Sequence, residues 1–179
     1  MEASAPNETP TFEQLMLPHL DAAYNLARWL LRDPHDAEDA VQEAFLRAYR
    51  AFDRFRGADG RAWLLTIVRN SCYSHMRQNR RRPEEVAFEE EIHGSTHDPA
   101  NANAVAWHEV KGDQLRQALE RLPEEYREVI VLHEIEGLAY REIAGVAGIP
   151  IGTVMSRLAR ARGKLQTELL TLTGEGSPQ

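Results

Sequence analysis

Apolar residues recur along this chain at spacings of three and four, with no alternating run of the kind a half-buried strand requires, so the pattern predicts an all-α fold. Residues 1–10 are small, polar and proline-containing and read as a disordered N-terminus. Thr11 and Gln14 then form a capping box ahead of an apolar series, Phe12, Leu15, Met16, Leu20, Ala23, Leu30 and others, that Pro18 kinks or restarts. Asp33-Pro34 ends that helix. A second is expected to be capped by Asp36, burying Ala37, Ala40, Val41, Ala44, Phe45, Ala48, Tyr49 and Phe52 and leaving Glu38, Asp39, Gln42 and Glu43 outside. After a loop with Phe55, Gly57 and Gly60, a third helix is predicted from Arg61 to about Arg80, with Leu64, Ile67, Val68 and Cys72 inward.

Pro83 stops this helix, and residues 83–103 are acidic, punctuated by Gly and Pro, and poor in apolar periodicity, which predicts a flexible linker. Two small helical domains follow from this division, 11–82 and 104–172, with a disordered tail at 173–179. Within the second, Pro123 restarts a helix that Gly137 ends. Residues 139–164 then read as a helix-turn-helix, in which Gly148 supplies the corner and Pro150 stands where the second helix begins. Ile151, Val154, Leu158, Ala161 and Leu165 form its expected buried stripe, and Thr153, Ser156, Arg157, Arg160 and Lys164 share another face. Such a face suits the major groove, where an arginine bridges two acceptors of a guanine. Ala139 lacks the hydroxyl that would complete a capping box with Glu142, a loss of about 1 kcal/mol.

The formal net charge of -7 is at first sight wrong for a nucleic-acid binder, because affinity for DNA comes largely from lysine and arginine. Its distribution reverses that impression. Acid gathers in residues 33–43, 84–91 and 120–136, whereas 69–82 and 157–164 are basic without an acid. Arg69, Arg77, Arg80, Arg81 and Arg82 exceed what a helix dipole calls for and read as a phosphate track. For Asp36 and Glu38 the dipole is as good an explanation as a partner site, whereas Gln42 and Glu43 lie beyond the first turn. One cysteine excludes an internal disulfide, and no run is apolar enough for a membrane span or secretory signal, so a cytoplasmic protein without membrane insertion is expected.

Three stretches together resemble the bacterial RNA polymerase sigma factors, and specifically their extracytoplasmic-function group. DAEDAVQEAFLRAY at 36–49 is similar to the family's polymerase-binding region, and FRGADGRAWLLTIVRNSCYSHMRQNRR at 55–81 to its promoter-melting region. LPEEYREVIVLHEIEGLAYREIAGVAGIPIGTVMSRLARARGKL at 122–165 is similar to its promoter-reading domain. The resemblance implies a non-enzymatic factor without a cofactor whose first domain docks on core RNA polymerase through Asp36, Glu38, Asp39, Gln42 and Glu43. It also implies that this domain opens the minus-ten element, with Phe55, Asn70 and the arginine track on the DNA, while the second domain reads the minus-thirty-five element. Phe55 and Asn70 match positions that hold a base of the melted strand; a core aromatic closing a loop explains Phe55 as well. An anti-sigma factor is a further implied partner. Ser74, His75, Met155 and Ala159 depart from the family's usual residues, which bears on promoter sequence and not on class.

Two other readings compete. A stand-alone helix-turn-helix regulator leaves residues 36–45 and the arginine track unexplained. A helical metal enzyme would draw on His93, His97 and His108, which show no metal-binding helical spacing.

Overall fold

The computed structural model describes residues 10–57, 59–81 and 112–173, and these are helical with no strand among them. The expected linker, both chain ends, and His93, His97 and His108 lie outside the described residues, as do Arg82 and residues 104–111 of the second domain.

Helix α1, Phe12–Met16, begins at the expected capping box: Thr11 Oγ1 accepts from the Gln14 amide at 3.3 Å and Gln14 Oε1 from the Thr11 amide at 2.9 Å. Pro18 sits in a 3₁₀ turn, Leu17–His19, before α2, Leu20–Leu31. The cap of α3, Pro34–Ala51, is Asp33 and not Asp36, its carboxylate accepting from the amides of His35 (2.8 Å) and Asp36 (3.0 Å). The reason lies in Pro34, which occupies the first helical position, where no amide is needed, and so starts the helix three residues earlier. After a 3₁₀ turn, Phe52–Arg54, and a loop, α4 runs Gly60–Arg81.

Helices α2, α3 and α4 pack mutually. Ala37, Ala40, Ala44 and Ala48 give α3 a narrow buried stripe, and Leu26, Leu30, Leu64, Leu65, Val68 and Cys72 fill the space opposite. Tyr49, expected inside, is 62% exposed, because α3 buries only its alanine stripe and Val41 and carries its aromatics on the flank. Burial pushes the Cys72 thiol up to about 12. Cys72 should therefore resist a thiol-reactive dye at pH 8 and react only at the rate of unfolding, which a denaturant titration of the labelling rate would check.

The second bundle comprises α5, Gly112–Arg121, α6, Glu124–Ile130, continued by a wider π turn at Val131–Ile135, then α7, Tyr140–Ala147, and α8, Ile151–Thr173. Leu119, Leu122, Val129, Leu132, Ile143, Val146, Val154, Leu158 and Leu165 form its core. Helix α8 outlasts the predicted stripe by about two turns, with Leu169 buried, and packs on α5, α6 and α7.

The two bundles touch: α2 packs on α6 and α4 on α7. At this junction the wholly buried Arg127 donates from Nη1 to the Trp29 carbonyl and from Nη2 to the Leu122 carbonyl, both at 2.9 Å.

Candidate nucleic-acid and polymerase surfaces

The α7–α8 corner forms as the glycine and proline require. Gly148 takes φ +66°, a left-handed conformation that a side chain disfavours, and its amide bonds back to the Ala144 carbonyl. The Pro150 carbonyl accepts from the amides of Thr153 (2.9 Å) and Val154 (3.1 Å), opening α8. Ala139 contributes no side-chain cap, but Glu142 Oε2 accepts from the Ala139 amide at 2.6 Å, so the half of the box that the sequence retains is formed. On α8, Ser156, Arg160 and Lys164 are exposed on one face, Thr153 is half-buried beside them, and Arg157 is held 3.0 Å from Glu125. Ile151 departs from the expected stripe. It is 47% exposed because it lies at the helix start, before α8 reaches its packing partners, and Met155 beside it is exposed too.

On α3, Glu38, Asp39, Gln42 and Glu43 face solvent, and Glu43 pairs with Arg47 one turn on. Asp36 turns toward α4, where His75 Nε2 lies 3.1 Å from its carboxylate and Asn79 donates at 3.5 Å. Leu46 and Tyr49 extend the exposed face, at 57% and 62% exposure. Neither was singled out from the sequence for this surface, because residues at helical spacing read equally well as core.

Phe55 is half-buried in a chain of rings, stacked on Phe52 at 6.2 Å and tilted against Trp63 at 4.8 Å. Asn70 is exposed and stands seven residues beyond Trp63, hence on the same face of α4. The arginine track divides. Arg77 is exposed and donates to Ser74 Oγ, Arg81 closes α4, Arg80 pairs with Glu124 at 2.8 Å, and Arg69 is engaged at the junction.

A family model described as Sigma-70 region 2 matches residues 15–82, and one described as Sigma-70 region 4 matches 112–165. The chain is 34% identical to the RNA polymerase sigma-H factor of Pseudomonas aeruginosa, over 92% of this chain and 89% of that protein. It is also 34% identical to the ECF RNA polymerase sigma factor SigE of Mycolicibacterium smegmatis, over 93% of this chain but only 64% of that longer protein. The chain belongs to the sigma-70 family. It is a sigma factor of the extracytoplasmic-function (ECF) group, and sigma factors are initiation factors, not enzymes by themselves. Its fold matches the sigma factor RpoE of Bartonella quintana, solved in complex with the anti-sigma factor NepR, with TM-score 0.71 and 32% identity over 88% of this chain and 96% of that one.

In this sigma factor the junction between regions 2 and 4 carries polar pairs of one direction beside an apolar cluster that both regions share. Arg69 of region 2 pairs through Nε with Glu128 of region 4, which also accepts from Tyr73 at 3.3 Å, and the guanidinium lies 4.4 Å from the centre of the Tyr73 ring. Arg61 donates to both the carboxylate (2.8 Å) and the carbonyl (2.7 Å) of Glu136, which also accepts from Asn25 at 3.2 Å. Glu128 has no exposed surface, and burial holds its carboxyl above the usual range, partly offset by Arg69 and Tyr73. Burial likewise raises the Tyr73 hydroxyl, with Glu128 adding to it. Arg61, Arg127, Glu128 and Glu136 were not among the sequence candidates. A signal existed: Arg127 and Glu128 run directly into four apolar residues, 129–132, and charge inside a segment buried all round points to a second packing partner. Among the described residues no helix is long and apolar enough to cross a membrane, and no cluster of His, Cys, Asp or Glu could hold a metal ion.

Proposed function

We propose that this sigma factor binds core RNA polymerase through the exposed face of α3, reads the upstream promoter element with α8, and opens the downstream element with α4 and the loop before it. Its working place is then the cytoplasm, and its ligands are promoter duplex and the melted strand. A protein inhibitor of the anti-sigma kind is a further expected partner, as for the Bartonella relative. The observation that carries the reading is the exposed face of Ser156, Arg160 and Lys164 on a helix whose opposite stripe, Val154 to Leu165, is locked in a core. A helix so held presents its donors to a groove with its backbone already ordered, so that binding immobilises side chains alone. Promoter-specific transcription on addition to core polymerase tests it. Tight promoter-specific binding by the chain alone, with no effect on core, would favour a stand-alone regulator.

Arg160→Ala should weaken transcription by about 1 to 3 kcal/mol at promoters with an intact upstream element if the arginine bridges a guanine. Arg157→Ala should act in the same direction but less, because Glu125 already holds that guanidinium. Comparing promoters with and without the upstream element checks both; equal losses on the two would move the residues to another role. Phe55→Ala and Asn70→Ala should hinder open-complex formation more than closed-complex binding, since stacking on a ring contributes about 1 to 3 kcal/mol per base only once the base has left the duplex. Permanganate reactivity of unpaired thymines reports the opening, and normal melting by both variants would leave Phe55 as a member of the ring cluster alone.

A further inference from the structure

The outward face of α8 is not uniformly polar. Residues 152, 156, 159 and 163 succeed one another at spacings of four, three and four, so they share a line along the helix, and all of them are small: Gly152, Ser156, Ala159 and Gly163. A methyl group placed on Gly152 or Gly163 would meet nothing within 4 Å. The packing of region 4 therefore calls for neither glycine, although glycine weakens a helix relative to alanine. A line with so little side chain lets a groove come close to the helix backbone. Arg160 and Lys164 flank it on one side. On the other stands Met155, 54% exposed, with Ile151 one turn before it at 47%.

We propose that Met155 determines sequence preference at the upstream element by packing its thioether side chain on the C5-methyl group of a thymine, with Ile151 widening the same apolar contact. The inference rests on the reading of α8 as the promoter-reading helix. In a helix-turn-helix the residues near the start of the second helix are the ones that reach base edges, and Met155 opens the second turn of a helix that begins at Ile151. Its sulfur is a weak acceptor and the side chain has no donor, so the hydrogen-bonding code of the major groove offers it almost nothing. The apolar feature of that groove is the thymine methyl. An unbranched side chain with three rotatable bonds follows such a group readily, and the small residues beside it, Gly152 and Ser156, do not fill the space it needs. Because Met155 stands in water in the free chain, covering it is a gain made only on a duplex that presents a methyl there. Arginine on one flank and methionine on the other thus divide the work: Arg160 selects a guanine, and Met155 a thymine.

The test uses holoenzyme made with the full chain and a promoter duplex that it selects from genomic fragments. Each thymine of the upstream element is replaced in turn by deoxyuridine, which removes the methyl and leaves every hydrogen-bonding group in place. Competition against the labelled parent duplex reads the affinity. At one thymine, wild-type holoenzyme should bind about fourfold more weakly once the methyl is gone, which is the worth of one buried methyl. Met155→Ala should bind the parent and the deoxyuridine duplex equally, and both about as weakly as wild type binds the latter. Met155→Leu should keep most of the discrimination, whereas Met155→Gln, of similar length but polar, should lose it. The position is exposed, so thermal unfolding of these variants should match wild type. Selected upstream elements that contain no thymine overturn the proposal, as does deoxyuridine without effect at every position, or an effect that survives in Met155→Ala. A loss in Met155→Ala that is the same on promoters lacking the upstream element also overturns it, and places the side chain against a protein. Failure of the functional reading looks different: wild-type holoenzyme would then select no promoter at all, and the inference would fall with it.

Discussion

Arg127→Ala is expected to lower the free energy of unfolding by about 3 kcal/mol, among the largest effects of any single polar substitution in the chain. The side chain is wholly buried, and its two hydrogen bonds go to main-chain carbonyls, Trp29 in region 2 and Leu122 in region 4. Burial lowers its ionisation to about 10, the nearby charge of Arg32 adding to the effect, and at neutral pH the guanidinium is still charged. Truncation removes bonds from a charged donor, leaves two buried carbonyls in want of a partner, and opens a cavity. It also removes the desolvation penalty of the buried cation, which is why the expected loss is well below the sum of those separate costs. A denaturant titration measures the change. Arg127→Met restores volume but not donors and should recover less than half of it. A loss below about 0.5 kcal/mol would mean that water replaces the guanidinium at little cost.

How far such a role can be read from the chain depends on whether the partner is near in sequence. Thr11 with Gln14 and the Gly148 corner are local devices, set by residues three or four apart, and all form as their chemistry requires. Asp33 was misread for a local reason as well: two aspartates flank Pro34 at cap-like positions, and only the tolerance of the first helical position for proline decides between them. Tyr49 and Ile151 show where periodicity stops being informative, since the stripe at helical spacing says which residues share a face but not how wide the buried part is. The pairing of residues across the junction was beyond reach for a different reason. Arg69 and Glu128 stand 59 residues apart, and Arg61 and Glu136 stand 75 apart. An arginine on a helix face reads the same whether a phosphate or a glutamate of another domain will meet it. The basic track was legible as anion-binding; which anion occupies it in the free chain was not.

Replacing Asp39, Gln42 and Glu43 together by Ala should weaken binding to core polymerase by about thirtyfold or more, equivalent to about 2 kcal/mol, while leaving the fold nearly untouched. The three side chains are exposed and lie outside the alanine stripe that fixes α3 in its bundle. Their one ion pair, Glu43 with Arg47, is about half exposed on both sides and contributes little to stability. Thermal unfolding should therefore shift by no more than surface changes usually cause, within about 0.5 kcal/mol. The same face carries Leu46 and Tyr49, three and six residues beyond Glu43, which leave apolar surface in water although Tyr49 also touches Phe12 edge-on at 5.3 Å. Apolar groups flanked by Gln42, Glu43, Arg47 and Arg50 are the composition of an interface that excludes water at its centre under a polar rim. Leu46→Ala should for that reason lose core affinity without loss of stability, since no core contact depends on it. Direct binding of labelled core polymerase to the folded variants makes the measurement. Unaltered affinity in both would detach α3 from polymerase docking and return its acids to the ordinary service of a solvated helix face.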